Sequence, residues 1–437
     1  MVRSVTLRKD KQDRVVQRIH GEFFSQQDFA ENLGVSASTV SNFVNCKPVD
    51  RKYFIDICEK LGLDWREYAA PPNQSNSNNH QSKKPLQSIP NQTPIPNLES
   101  HTLEYPEGQM QVNSPFYMER PPIEERCYEE IRKPASLIRI KAPRQMGKSS
   151  LLARILHQAE QQGDKTVYLS LQAATTKCFS DAETFLKWFC VSISRVLRLP
   201  PNLEEYWELA EVMGVNLCCQ DYFERYLLPQ INQPITLGLD EVDRVFEYPD
   251  ISPDFFGLLR VLHEEGKQRT IWKQLRLVIV HSTEVYVPIN LNQSPFNVGL
   301  PIELPEFTPE QVLSLAKIHQ LNWSEPEVLQ LMEMVGGHPF LVRLGLYHIA
   351  RQDLNLKELL ETAPTTTGIY RTYLQRIESI LEEHSQLKAG LQDLITNAQQ
   401  AQLSKKICSK LNALGLIKVK DGETLPSCEL YRQYFFN

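Results

Sequence analysis

The sequence predicts an α/β body, a parallel sheet covered by helices on both faces, that passes into a helical lid and a C-terminal winged helix and is preceded by a small all-α head. Three observations predict it. Short apolar strands alternate with helical segments between "SLIRIKA" and "LRLVIVHS", the pattern of a buried parallel sheet. Past "GLPIELPEFT" the strands stop and helical periodicity takes over. A stretch dominated by Pro, Asn, Gln and Ser, beginning "PPNQSNSNNHQSKKPLQ", holds too few large apolar residues to offset its ordering entropy.

In chain order, residues 1–70 carry apolar stripes at helical spacing broken at "NLGVS" and "NCKPVD", which predicts four or five short helices and no strand. Residues 71–113 read as a flexible linker that lets head and body move independently. Residues 114–300 form the core of the body. Its strands are "SLIRIKA", "KTVYLSLQ", "PITLGLD" and "LRLVIVHS", and its helices include "SSLLARILHQAEQQG" and the segment around "FFGLLRVLHEEG". Residues 301–369 form the lid, through "PEQVLSLAKIHQ", "SEPEVLQLMEMVGG" and "HPFLVRLGLYHIARQ". Residues 370–437 end in a helix followed by "GLIKVKDGETLPSCELY", whose two short strands about a "KDGE" turn predict the winged helix.

A chain of 437 residues with 41% hydrophobic and 23% charged residues is long enough for two or three domains with a substantial core. Its formal charge of −6 argues against a uniformly basic nucleic-acid coat, so any DNA contact is confined to one domain. The absence of a signal-peptide core and of long apolar runs predicts a cytoplasmic protein with no membrane partner. The nine cysteines are scattered, with no C-x-x-C pair and no histidines at zinc spacing, as buried thiols of a reducing compartment would be.

The segment "IRIKAPRQMGKSSLLARIL" places a strand, a tight loop and a helix around Ala142, Pro143, Arg144, Gln145, Met146, Gly147, Lys148, Ser149 and Ser150. This is the phosphate-binding pattern G-x-x-x-x-G-K-[ST] of P-loop NTPases, in which backbone N–H groups surround phosphates, Lys reaches the terminal ones and the hydroxyl holds magnesium. Ala142 stands where the first glycine is expected, at the end of the strand, where a small side chain is accepted if its dihedrals are ordinary. The supporting acids belong at the end of a later buried strand, and "ITLGLDEVDRVF" supplies Asp240 to support the metal and Glu241 to polarise water. Asp243 is either a further magnesium or water contact or a helix N-cap. "LRLVIVHSTEV" ends in His281, Ser282 and Thr283, of which Ser282 either senses the terminal phosphate or caps the next turn.

The body resembles the AAA-like ATPase family common in cyanobacteria, a relative of the STAND and Orc-type P-loop ATPases. The resemblance rests on "SPFYMERPPIEERCYEEI", "IRIKAPRQMGKSSLLARIL", "GLDEVDRVF", "LPIELPEFTPEQV", "GGHPFLVRL" and "CELYRQYF", and spans about residues 114–437. It implies ATP and Mg2+ as ligands, with Glu119 and Arg120 near the adenine. It also implies that Gly336, Gly337, His338 and Pro339 start a lid helix that closes over base and sugar. Arg343, one turn on, is either a nucleotide-sensing arginine or a partner in a surface salt bridge.

In the head, "SQQDFAENLGVSASTVSNFVNCKPVDRKYFIDICEKLGL" matches a helix-turn-helix and resembles the lambda-repressor-like domain. A first helix starts at Gln26, the turn passes through Gly34, and a second helix starts at Ser36. Phe29, Ala30, Leu33, Val35, Val40 and Phe43 lock the helices together, which leaves Gln26, Ser36, Ser38, Thr39, Ser41 and Asn42 for DNA phosphates and base edges. The expectation is an ATP-binding and ATP-hydrolysing switch whose head engages DNA and which assembles into a homo-oligomer on ATP binding. Two other readings stay open: a nucleotide-gated scaffold whose head binds a protein partner, and a DNA-remodelling loader with Arg244 acting in trans.

Overall fold

The computed structural model describes residues 4–8, 11, 15, 29, 33, 35, 37–44, 47–61, 63, 65–69, 103–283, 295–396, 403–420 and 423–436. The chain divides into two units, Met1–Ile95 and Pro96–Asn437. No helix among the described residues is long and apolar enough to cross a membrane.

In the first unit, β1 (Ser4–Val5), α1 (Ala37–Val44), β2 (Val49–Asp50), α2 (Arg51–Lys60) and the short α3 (Trp65–Tyr68) pack around buried Phe29, Val40, Phe43, Phe54 and Ile57. Phe43 and Phe54 meet edge-on with centroids 4.9 Å apart. Leu33 and Val35 are partly buried against the same core, while Ala30 lies outside the described residues. The expectation of no strand is corrected. β1 pairs antiparallel with β2, Ser4 opposite Asp50 and Val5 opposite Val49, and two-residue strands are too short to carry an alternation signal.

The body's sheet has the order β4-β5-β6-β3-β7, with every neighbouring pair parallel. In sequence it runs through α4 (Ile123–Ile131), β3 (Leu137–Ala142), α5 (Lys148–Gln161), β4 (Lys165–Ser170), α6 (Ala182–Val196), α7 (Val215–Tyr222), β5 (Ile235–Asp240), α8 (Ser252–Gln268), β6 (Leu275–Ser282) and β7 (Leu300–Glu303). Successive side chains of a strand point to opposite faces, and β6 shows the consequence. Leu275, Leu277 and Ile279 join the core under α6, α7 and α8, whereas Val278 and Val280 join the core under α4 and α5. Because helices cover both faces, β5 is buried along its whole length.

β7 was not anticipated. It is four residues long, contains Pro301 and sits at the sheet edge, where a proline costs no ladder bond on the open side. The expected core–lid boundary at residue 300 therefore cuts through a strand. The expected linker is also shorter than residues 71–113. Residues 71–102 lie outside the described residues, but Met110 N–H donates to Ser150 Oγ at 2.9 Å and Gln111 O accepts from Arg154 Nη2 at 2.9 Å, so residues 103–113 are anchored on the body.

Beyond the sheet follow α9 (Pro309–Ile318), α10 (Glu325–Val335), α11 (Pro339–Ala350), α12 (Leu356–Thr362), α13 (Arg371–Glu383), α14 (Ser385–Thr396) and α15 (Lys405–Ala413). β8 (Ile417–Lys420) and β9 (Glu423–Pro426) then form an antiparallel pair, and α16 (Glu429–Phe436) ends the chain. The sequence division at residue 369/370 marks no break in packing. Val312, Leu331 and Leu341 share one core with Leu374, Leu391, Leu411 and Leu430. Tyr370 OH donates to Leu341 O at 3.1 Å, and the hydroxyls of Tyr373 and Tyr431 are 2.7 Å apart.

Gly337 sets the start of α11. Its carbonyl accepts from Phe307 N–H at 2.8 Å, and a Cβ there would lie 2.3 Å from Phe307 O and 2.9 Å from Phe307 N. Backbone atoms cannot step aside as a side-chain tip can. Gly337→Ala is expected to destabilise the second unit by about 1–3 kcal/mol, as overpacking does, measured as a fall in thermal midpoint against wild type.

Candidate functional site

The loop after β3 explains its own sequence. Gly147 adopts φ +92° and opens α5, a left-handed turn that a side chain would resist. Ala142 is absent from the residues with positive φ, which are Gln145 and Gly147 within this loop; the position therefore needs no glycine. The first turn of α5 has no side-chain cap at Gly147, which leaves backbone N–H groups and the positive end of the helix dipole facing the cavity. Lys148 Nζ curls back to donate to the carbonyls of Ala142 (3.0 Å) and Pro143 (2.8 Å).

Asp240 closes β5 at 2% exposure. Its Oδ2 accepts from Tyr168 OH at 3.2 Å and its Oδ1 from Glu241 N–H at 2.9 Å. Glu241 takes a left-handed backbone (φ +54°), and its Oε2 accepts from Ser170 Oγ at 2.8 Å. Tyr168 and Ser170 come from β4, where the parallel register sets Ser170 beside Asp240. Burial and the Asp240 carboxylate push the Tyr168 hydroxyl well above its ordinary range, so it stays a donor. Asp243 is not a helix cap: its Oδ1 accepts from Ser282 N–H at 3.0 Å and ties the turn after β5 to the end of β6.

These groups meet in a cavity of about 630 Å3, within the range of small-molecule sites. Arg144, Gln145, Gly147, Lys148, Ser149 and Ser150 line it from the loop, Asp240, Glu241 and Asp243 from the end of β5, Ser282 from β6, and Pro339, Phe340 and Arg343 from α11. Ala142, Pro143 and Met146 instead face a second cavity behind the loop.

Arg120 does not line this cavity. It is buried behind the loop, where Nη1 donates to Met146 O at 2.8 Å and Nη2 is 3.2 Å from the position a Gly147 Cβ would take. Glu119 contributes its carbonyl, which accepts from Gln311 Nε2 at 2.7 Å. The surface salt bridge offered for Arg343 is corrected. The residue is 6% exposed, its Nη2 donates to Glu104 O at 3.3 Å, and burial pulls the guanidinium down to about 10, still charged at neutral pH. Arg244 Nη1 donates to Gln172 O and Oε1, both at 3.0 Å, within its own chain. In the first unit, Gln26 and Ser36 lie outside the described residues, while Ser38, Thr39, Ser41 and Asn42 all fall in α1.

With this geometry in hand, comparison with known proteins is informative. The AAA-like domain matches residues 105–437. The chain belongs to the AAA-like domain family. An uncharacterized WD repeat-containing protein of Synechocystis sp. is 28% identical over 213 residues, a match spanning 46% of this chain and 17% of that protein. A Walker-type ATPase of Pyrococcus abyssi shares the fold, with a TM-score of 0.53 and 11% identity over 76% of this chain and 99% of the other. The ORC2 protein of Aeropyrum pernix aligns with a TM-score of 0.45 and 16% identity over 75% of this chain and 96% of the other.

Tyr168, Ser170 and Phe340 of this AAA-like chain escaped sequence reasoning. The first two alternate along β4 on the cavity side, a signal that gains meaning only once β4 is known to neighbour β5. Two buried histidines, His319 and His338, and the half-buried His281 give the body a pH signature. Burial lowers His281, His319 and His338 from 6.5 to about 4. Between pH 6.5 and 4 the unfolded chain takes up protons at these rings before the folded one does, so their stabilising contribution, full above 6.5, is lost as pH falls to about 4. The thermal midpoint is expected to drop by at least about 3 °C from pH 7 to pH 5, and by less in His319→Leu, whatever that variant's midpoint at pH 7.

Proposed function

We propose that this chain is an ATP-dependent switch, in which the body binds and hydrolyses ATP and the first unit engages DNA. One observation carries the reading: the Gly147–Lys148–Ser149 turn and the Asp240–Glu241 pair, about 90 residues apart in sequence, line one cavity at the carboxyl ends of β3 and β5, where open α/β sheets bind ligands. The phosphates would sit on the N–H groups of the first turn of α5, with Lys148 released from the Ala142 and Pro143 carbonyls to reach the terminal one. Ser149 and Asp240 supply hard oxygen donors suited to Mg2+. Bound there, Mg2+ would neutralise charge that develops on the transferred group. Glu241, whose Oε2 accepts from Ser170 Oγ, would orient the attacking water. ATP is the nucleotide carried over from the family and from the Walker-type ATPase of the same fold.

The DNA reading of the first unit is supported by α1, which presents Thr39 and Asn42 partly exposed and buries Val40 and Phe43 beneath them. At the other end, α15 followed by the β8–β9 pair and α16 has the order of a winged helix, with Lys405 and Lys406 exposed on α15.

Lys148→Ala is expected to lower ATP affinity about 10- to 100-fold, the value of a charge-assisted contact, and undiminished affinity in a calorimetric titration would remove the site assignment. Glu241→Gln should bind ATP as wild type does while hydrolysis slows about 10²- to 10⁴-fold; an unchanged rate would end its role. For the first unit, the full chain should bind random duplex DNA with an affinity that falls steeply as salt rises. Ser38→Glu and Asn42→Ala should each weaken that binding about tenfold at low salt. Absence of salt-dependent binding would sink the DNA reading and leave the ATPase reading intact.

A further inference from the structure

Residues 104–114 form a loop that closes on itself, with Ser114 Oγ donating to Glu104 Oε2 at 2.6 Å. One limb is fixed to α5 through the Met110–Ser150 and Gln111–Arg154 bonds, and the Arg154 guanidinium is held 3.5 Å over the Tyr117 ring. The other limb is fixed to α11. Glu104 O accepts from Arg343 Nη2, and the Tyr105 ring meets Tyr347 edge-on at 5.2 Å. Between the limbs Gly108 turns at φ +54°. The stretch from Tyr105 to Met110 lines the same cavity as Lys148 and Asp240.

A nucleotide with its phosphates on the first turn of α5 needs, elsewhere in the cavity, an aromatic face and a polar edge for its base. Of the aromatic side chains that line the cavity, Tyr168 is engaged by Asp240, which leaves Tyr105 and Phe340. Tyr105 is 50% exposed, so its ring is available to a ligand. The backbone carbonyls of the loop and the Gln109 amide offer the polar edge. Beside them Arg343, 6% exposed and lining the cavity, is held by Glu104 O and lies over the Phe116 ring, so the α11 side of the cavity is fixed to the loop.

We propose that the loop from Tyr105 to Met110 is the nucleobase wall of the cavity, with the Tyr105 ring as its stacking surface. The proposal rests on the nucleotide reading above and adds to it the part of the ligand that the P-loop does not touch. It also makes the base-binding element the stretch through which the chain from the first unit enters the body.

The test titrates the full chain with ATP and with inorganic tripolyphosphate, which has the phosphates and no base. Tyr105→Ala should lose about tenfold in ATP affinity, the scale of base–aromatic stacking, and keep its tripolyphosphate affinity, with Tyr105→Phe recovering ATP binding. Wild-type ATP affinity in Tyr105→Ala, alongside loss of both ligands in Lys148→Ala, would overturn the wall and leave the phosphate site standing. Equal losses of ATP and tripolyphosphate in Tyr105→Ala would also overturn it, because the ring would then serve the fold and not the base. Failure of the wild-type chain to bind either ligand would overturn the nucleotide reading, and this proposal with it.

Discussion

The close approach of α5 to β5 at Gly238 fixes the geometry on which the site depends. A Cβ on Gly238 would stand 2.8 Å from Leu152 Cδ1 and 3.1 Å from Leu156 Cδ1, so two leucines of the helix that begins with Lys148 pack directly on the bare strand backbone. Strand side chains repeat their direction every second residue. Asp240, two residues past Gly238, therefore points to the face that α5 covers, and the N-terminus of the helix meets the carboxylate at the strand's end. Two motifs far apart in sequence are brought together by one small residue between them.

Placing Asp240, Glu241 and Asp243 in one recess is costly unless each is hydrogen-bonded. β4 supplies two of the donors, Tyr168 and Ser170, and the end of β6 supplies a third through Ser282 N–H. The carboxylates are thus held by groups from both neighbouring strands. Lys148 donates to carbonyl oxygens of its own loop, and Arg343 makes one long bond to Glu104 O. Acidic and basic groups thus line one cavity.

What was legible in the sequence was local or buried on both faces. Gly147, Lys148 and Ser149 are read from a turn whose chemistry needs those types at adjacent positions, and "PITLGLD" announces a central strand because every residue from Ile235 to Asp240 is buried. What was not legible depends on partners distant in the chain. The roles of Tyr168 and Ser170 follow from a register that becomes visible only when β4 is paired with β5. Leu300–Glu303 is too short and proline-bearing to stand out as a strand. Tyr105 to Met110 shares the composition of the linker before it and is ordered by α5 and α11, which no local pattern reveals. Arg120 shares a segment with Glu119 but turns inward, because Met146 O offers a buried acceptor.

The cavity lies between two separately packed layers: the sheet with its flanking helices, and the helical core that runs from α9 to α16. Among the described residues, contacts that bridge the two include Gln311 Nε2 to Glu119 O and Thr283 Oγ1 to Ala413 O. Each is a single hydrogen bond, with a net contribution of about 1 kcal/mol, against the far larger apolar burial inside each layer. The cavity is lined from both layers, by the loop after β3 and by α11. The loop from Glu104 to Ser114 is tied to both sides of that cavity, to α5 through Ser150 and Arg154 and to α11 through Arg343.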